Sequence, residues 1–98
     1  MDREIVWTKE ALTNFQKVVE YLQLNWSVKV AEEFIEIVGH RVQVLTSFPM
    51  IGVSSKKKSD LRKFVLTQHN MLVYRIRVKR IILLNIYDTR QDPVKIDE

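Results

Sequence analysis

The stretch MLVYRIRVKRIILLNIY, residues 71–87, decides the fold class because it holds two strand patterns joined by a short link. In residues 71–78, an apolar set at the even positions alternates with a mixed set at the odd positions. The apolar set is Leu72, Tyr74, Ile76 and Val78, and the mixed set is Met71, Val73, Arg75 and Arg77. Side chains of a strand alternate between faces, so the first set should point inward and the two arginines outward. With residues 61–66 upstream, the segments 71–78 and 80–87 predict a three-stranded antiparallel sheet.

The N-terminal half is typical of a short strand followed by two helices. Residues 4–7 predict the strand, and Thr8 predicts the N-cap of the first helix, with Glu10 in its first turn. Ser27 should cap the second helix, and Pro49 with Gly52 should end it. Helical spacing predicts two core stripes: Leu12, Phe15, Val18, Val19 and Leu22, then Ala31, Phe34, Ile35, Val38, Val42 and Leu45.

Two further features of the second helix have open interpretations. Gly39 lies mid-helix, where glycine is unfavourable, and this suggests a close approach of the first helix. Val30, Ile37 and Val44 are spaced seven residues apart on a neighbouring face. They form either a wider core stripe or a contact surface for a partner or a second copy of the chain.

The predicted fold class is α+β: a short N-terminal strand, an antiparallel two-helix hairpin and a three-stranded antiparallel sheet, with both helices on one sheet face. The 98 residues suffice for one core, so we expect a single domain over residues 1–98, with residues 89–98 as an extended tail.

Composition narrows the function classes. There is no cysteine, no long apolar run, and only two histidines and two glycines in the sequence. These counts give no support to disulfides, a membrane span, a metal site or a glycine-rich phosphate loop. We therefore expect a cytoplasmic protein without a metal or another cofactor.

Charge is concentrated in the C-terminal half. Residues 1–49 carry 5 basic and 7 acidic side chains, whereas residues 50–98 carry 11 and 5, giving balances of −2 and +6. This asymmetry indicates a polyanionic or acidic partner, although a solvated basic face would look the same. The candidate phosphate-binding residues are Lys56, Lys57, Lys58, Arg62, Lys63, Arg75, Arg77 and Arg90, with Lys79 and Arg80 nearby.

Four short segments resemble the RelE/ParE superfamily of toxins, in the right order and over nearly the whole chain. They are Trp7-Thr8, residues 45–52 ending in FPMIG, LVYRI at 72–76 and IYDTRQDP at 86–93. The resemblance implies the toxin of a type II toxin–antitoxin module. It also implies a cognate antitoxin, acidic and partly disordered, that folds across the basic sheet face and the apolar helix faces.

Two mechanisms occur in that superfamily. RelE-like members cut messenger RNA on the ribosome without a metal, whereas ParE-like members poison DNA gyrase. Transferred position by position, the ribonuclease set is incomplete: Arg62 replaces a lysine, Phe64 a second lysine and Met71 an arginine, while Ile96 stands near an expected tyrosine. Only Arg90 matches.

His69 and Tyr87 are the remaining candidates for proton transfer. His69 precedes the strand at residue 71 and titrates in the right range when unperturbed, but such a histidine is commonly just exposed. Tyr87 equally fits core packing. Three hypotheses follow: a ParE-like gyrase poison, favoured by the incomplete set; a ribosome-dependent ribonuclease using Arg62, Arg90, His69 or Tyr87; or a non-toxic basic binding domain.

Overall fold

The computed structural model describes residues 2–89 and confirms the predicted α+β class. The predicted tail therefore lies outside the described residues, apart from Thr89. In chain order the elements are β1 (Glu4–Trp7), α1 (Lys9–Asn25), α2 (Val28–Ser47), β2 (Val53–Ser54), β3 (Leu61–Thr67), β4 (Asn70–Ile76) and β5 (Arg80–Asp88).

Both helices begin at the predicted caps. The Thr8 hydroxyl accepts a hydrogen bond from the backbone N–H of Ala11 at 3.2 Å, and the Ser27 hydroxyl accepts one from Val30 at 3.0 Å. Each bond satisfies a donor that the first helical turn would leave unpaired. The Thr8 hydroxyl also donates to the carbonyl oxygen of Leu83 at 2.7 Å, which fixes the start of α1 against β5.

Both helices pack on one face of the sheet, and aromatic rings join the layers. Phe15 of α1 lies 5.3 Å from the Trp7 ring and 5.8 Å from the Phe34 ring, measured between centroids. Two predicted core positions are wrong, since Leu12 and Ile35 are 43% and 42% exposed. They lie at the margins of their stripes, and the buried Ala11 brings α1 close to the core in place of Leu12.

The sheet has five strands in the order β1-β5-β4-β3-β2, two more than the three predicted for the C-terminal half. The prediction left β1 unpaired, but it lies parallel to β5, with Ile5 opposite Ile81, so the sheet is mixed. The other three strand pairs are antiparallel. The two-residue strand β2 was missed because Val53-Ser54 is too short to show a period.

A β-bulge explains why alternation fails in β5. Tyr74 pairs with Leu83 and Val73 with Asn85, so Leu84 is an extra residue. The bulge shifts the pattern by one position, and Leu83 and Ile86 are both buried although three residues apart.

Two positions of β4 and its link depart from the predicted alternation. Val73 is buried although it belongs to the outward set, because β4 is a central strand with neighbours on both sides. Val78, expected inside, is 86% exposed, because β4 ends at Ile76 and Val78 lies in the turn closed by the Arg77 N–H bonded to the Arg80 carbonyl.

The interpretation of Gly39 is also wrong. A Cβ atom added at Gly39 would meet no atom within 4 Å, so no helix approaches it. Gly52 is the glycine that a close approach requires, since a Cβ there would lie 2.6 Å from the Tyr74 hydroxyl and 2.7 Å from the Lys63 carbonyl oxygen.

The two glycines therefore predict opposite effects of alanine. Gly39→Ala should raise the free energy of unfolding by about 1 kcal/mol, because it removes backbone freedom from an exposed helical position. Gly52→Ala should lower it by about 1–3 kcal/mol through overpacking. Urea denaturation of the three proteins measures both, and a stabilised Gly52→Ala protein would contradict the close contact.

Candidate functional site

The face of the sheet opposite the helices combines cationic and apolar side chains. Lys63 pairs with Val73, and Leu61 pairs with Arg75, so Lys63 and Arg75 are diagonal neighbours on this face. Val65 and Met71 pair on the same face, and Val65 is half exposed. The open sheet face is thus a half-apolar surface with two cations.

Asp60 organises the arginines at one end of this face. Its Oδ2 atom accepts a hydrogen bond from Arg77 Nη1 at 2.8 Å and lies 3.6 Å from Arg75 Nε. The Arg77 hydrogen bond, with smaller contributions from both positive charges, lowers the pKa of the Asp60 carboxyl below its ordinary value of 3.8. Arg75 Nε is buried without a hydrogen-bond partner, so this ion pair is its main compensation.

Arg62 lies on the other face, which is a result that the sequence did not indicate. It pairs with Tyr74 in β4 and Ser54 in β2, on the side of the helices. Its guanidinium donates to three backbone carbonyls: Nε to Ser59 at 3.0 Å, and Nη1 to Met50 at 3.0 Å and Gly52 at 2.8 Å. The structure therefore gives this candidate catalytic cation a role in holding the chain between α2 and β3.

Tyr74 completes the fixation of that segment. The ring is fully buried, and its hydroxyl donates to the Pro49 carbonyl at 2.6 Å and accepts from the Gly52 N–H at 3.0 Å. Burial raises the pKa of the Tyr74 phenol, partly offset by the Gly52 N–H and the charge of Arg62. We call residues 48–53 the clamped loop, since Tyr74 and Arg62 hold its backbone at four hydrogen bonds.

The lysine run occupies the next link in the chain. Lys56, Lys57 and Lys58 are exposed, and the Lys57 N–H donates to the Ser55 hydroxyl at 3.1 Å. A turn from the Lys58 carbonyl to the Leu61 N–H, at 3.3 Å, then leads into β3. These charges stand beside the clamped loop in sequence, at the edge of the sheet.

The two candidates for proton transfer lie at the opposite end of the sheet from Arg75. Tyr87 pairs with Met71, four residues along β4 from Arg75, a separation of about 13 Å at the usual strand rise. His69 sits in the β3–β4 link, where its carbonyl accepts from the Thr89 N–H at 2.9 Å. Burial raises the pKa of the Tyr87 phenol. Arg90 lies outside the described residues.

The stripe on α2 is partly accessible. Ile37 is exposed, whereas Val30 and Val44 are half-buried. Ile37 also lines a shallow depression with Glu36, His40 and Arg41. The contact role of Val30, Ile37 and Val44 stays a prediction.

Sequence analysis missed the exposed apolar side chains of the clamped loop. Phe48, Met50, Ile51 and Val53 are all more than half exposed, whereas the run FPMI was interpreted as a helix stop and as part of a family motif, and not as a contact surface. The run of consecutive large apolar residues is visible in the sequence, but whether these residues are exposed depends on the tertiary fold.

Two other features that would bear on function are a metal site and a membrane-spanning helix. Within residues 2–89, no three histidine, aspartate or glutamate side chains gather as a metal site requires. Over the same part of the chain, neither helix combines the length and apolarity needed to cross a bilayer.

The protein is thus a small α+β domain whose open sheet face carries both apolar and cationic side chains. The sequence model of the ParE toxin of type II toxin–antitoxin systems matches residues 5–93. The chain therefore belongs to the ParE toxin family, within the RelE/ParE superfamily that the sequence motifs predicted. Comparison with curated protein sequences gives no match.

Solved structures share the fold at low sequence identity. A chain of the chromosomal ParDE system of Pseudomonas aeruginosa is 16% identical, with a TM-score of 0.73, covering 88% of this chain and 95% of that one. A chain of the Mycobacterium tuberculosis complex RelBE2 is 13% identical, with a TM-score of 0.61 and coverages of 90% and 99%. The YoeB/ParE toxin of Agrobacterium tumefaciens is 14% identical, with a TM-score of 0.60 and coverages of 87% and 96%.

The Asp60 ion pairs predict an acid-sensitive contribution to stability. Because the pKa of Asp60 is lowered on folding, its contribution is complete above the unfolded value of 3.8 and is lost as pH falls through the lower folded value. We therefore expect the thermal unfolding midpoint of the wild type to exceed that of Asp60→Asn near pH 7, and the difference to vanish as the pH falls to about 2. A difference in midpoint that stays constant over this pH range would contradict the ion pairs. When Arg77→Gln is present in both proteins, the difference at neutral pH should be smaller and should therefore change less with pH.

The Tyr74 hydroxyl predicts a measurable loss when it is removed. Tyr74→Phe leaves the Pro49 carbonyl and the Gly52 N–H without their partner, and should lower the free energy of unfolding by about 1–3 kcal/mol. Tyr21→Phe is the matched control, because Tyr21 is exposed on α1 and its loss should cost no more than about 0.5 kcal/mol. Equal free energies of unfolding for the two variants would show that the hydrogen bonds of the Tyr74 hydroxyl do not stabilise the fold.

Proposed function

We propose that this toxin arrests growth by binding DNA gyrase, as a ParE-like member, and that it does not cut RNA. One observation carries the proposal: in residues 2–89, the groups that RNA cleavage would require do not converge. Such cleavage needs a proton acceptor, a proton donor and cations around a single phosphate.

The positions of the candidates support this reading. The Arg62 guanidinium binds three carbonyls on the helix side of the sheet. Arg75 and Tyr87 share the open face but stand about 13 Å apart along it, estimated from the strand rise. Their backbone positions are therefore about four residues of strand apart, so the two side chains are not direct neighbours on this face.

The open sheet face suits a protein partner instead. Val65 and Met71 provide apolar surface that a partner would bury, and Lys63 and Arg75 provide positive charges that would orient it. Protein interfaces of moderate affinity combine an apolar centre with polar margins in this way. We propose that DNA gyrase is the protein that binds this face.

A cognate antitoxin is the second proposed partner. The likeness to chains of the ParDE and RelBE2 complexes supports this, as does the excess positive charge of the C-terminal half. We expect it to be acidic and partly disordered when free, because a disordered segment can cover a large toxin surface. Val30, Ile37 and Val44 are proposed contacts for it, with a homodimer as the other use of that stripe.

A ribosome-dependent ribonuclease is the second candidate function. It is favoured by the position of Tyr87, which pairs with Met71 on the open sheet face, where a phenol is a hydrogen-bond donor for a leaving oxygen. Lys63 on the same face would be a phosphate ligand, together with Arg90 from the C-terminal segment. The third candidate function is that of a non-toxic domain that binds a nucleic acid or a partner protein.

Induction of the chain alone in a bacterium tests these candidates. We expect growth arrest with trapped gyrase–DNA cleavage complexes and altered plasmid supercoiling, while messenger RNA ends mapped at the ribosomal A site stay unchanged. Cuts at A-site codons before any change in supercoiling would establish the ribonuclease. Unchanged growth would leave only the non-toxic binding domain.

Two conservative variants sharpen the test. Tyr87→Phe and His69→Gln remove the candidate proton donors and keep the size of each side chain. A gyrase poison should retain its growth arrest in both, whereas general acid–base catalysis typically contributes about 100-fold or more to a rate. Loss of arrest in a folded Tyr87→Phe protein would therefore count for the ribonuclease.

A further inference from the structure

We infer that the clamped loop, residues 48–53, is a preformed docking site for an acidic segment of the antitoxin that carries large apolar side chains. The inference rests on the proposed toxin–antitoxin function and concerns a surface separate from the open sheet face. It would be one of the anchors by which the antitoxin holds the toxin.

The first observation is the exposure of the loop. Phe48 is 64% exposed, Met50 71%, Ile51 51% and Val53 66%, within six consecutive residues. Isolated exposed apolar residues are ordinary, but a contiguous group of large ones marks a contact surface. Three of them line a groove of about 490 Å³ with Pro49, Ile76 and Arg3.

The second observation is that the loop is held in place. Its backbone receives hydrogen bonds from Tyr74 and Arg62, and the Ile51 N–H donates to the Phe48 carbonyl at 3.1 Å. The side chains that fix the loop, Tyr74 and Arg62, are buried and half-buried respectively, whereas the large apolar side chains of the loop are more than half exposed. Binding to a rigid apolar surface avoids the entropy cost of ordering a loop, which is the benefit of preorganisation.

The third observation is the sign of the surrounding charge. Arg3 is the charged residue that lines the groove, and its Nε donates to the Arg77 carbonyl at 2.8 Å, which holds the guanidinium at the groove margin. Lys56, Lys57 and Lys58 come after the loop in the sequence, directly beyond β2 and Ser55, and are exposed. Two carboxylates in this region already have partners: Asp2 accepts a hydrogen bond from the Ser47 hydroxyl at 3.2 Å, and Asp60 is ion-paired with Arg77. An apolar centre with a cation at its margin fits an acidic segment with apolar anchors.

The experiment uses the full chain and the antitoxin encoded beside it. Met50→Asp and Ile51→Asp each place a carboxylate on the loop, and both are expected to fold because these side chains are exposed and the clamp uses backbone carbonyls. Each should weaken antitoxin binding by about 30-fold or more, which is the loss of a hot-spot residue. Titration calorimetry measures the binding, and circular dichroism confirms the fold.

Leu24→Asp is the matched control. It makes the same apolar-to-acid change at an exposed position near the C-terminus of α1, which adjoins the start of α2, whereas the loop follows the end of α2. It should alter affinity by about twofold at most. Arg3→Gln should reduce both the affinity and its dependence on salt, because it removes a charge at the groove margin.

The outcomes separate this inference from the proposed function. Antitoxin affinity unchanged in both loop variants would overturn the docking site, even when the wild-type chain arrests growth. Variants that lose growth arrest but bind the antitoxin normally would also overturn it, because the loop would then serve the target. A wild-type chain that binds the antitoxin through this loop without arresting growth would refute the toxin function alone.

Discussion

The hydroxyl of Tyr74 is the contact on which much of the architecture depends. A fully buried phenol needs a partner for its polar atom, and here one oxygen atom donates to Pro49 and accepts from Gly52. That single atom joins a central strand to the segment leaving the second helix. Gly52 must lack a side chain for the contact to exist, so one tyrosine and one glycine position the sheet, the helix end and the clamped loop together.

The sheet divides the chemistry of the protein between its two faces. Burial of the helix-side face supplies the hydrophobic stabilisation, and this face also contains Arg62, whose charge is satisfied by backbone carbonyls. The opposite face keeps Lys63 and Arg75 close to solvent, with Asp60 compensating the half-buried Arg75. Neighbouring basic residues of one strand thus have different functions, because each successive side chain points to the other face.

The exposed apolar area of this small chain is distributed over several surfaces. The open sheet face, the Ile37 side of α2 and the clamped loop lie on different sides of the fold, and each combines apolar area with nearby charge. Separate surfaces allow an antitoxin to cover much of the toxin while each contact stays modest, which is how extended segments reach high affinity.

The sequence by itself determined the local elements. Caps at Thr8 and Ser27 and the proline stop at Pro49 depend on neighbours within a few residues, and they were confirmed, as was the strand alternation in β4 except at Val73. Only the tertiary structure decided the parallel pairing of β1, the bulge at Leu84, the roles of the two glycines and the face occupied by Arg62. The reason is physical: each of these depends on strand register and on contacts between segments distant in sequence, and a one-residue shift in register reverses which side chains meet.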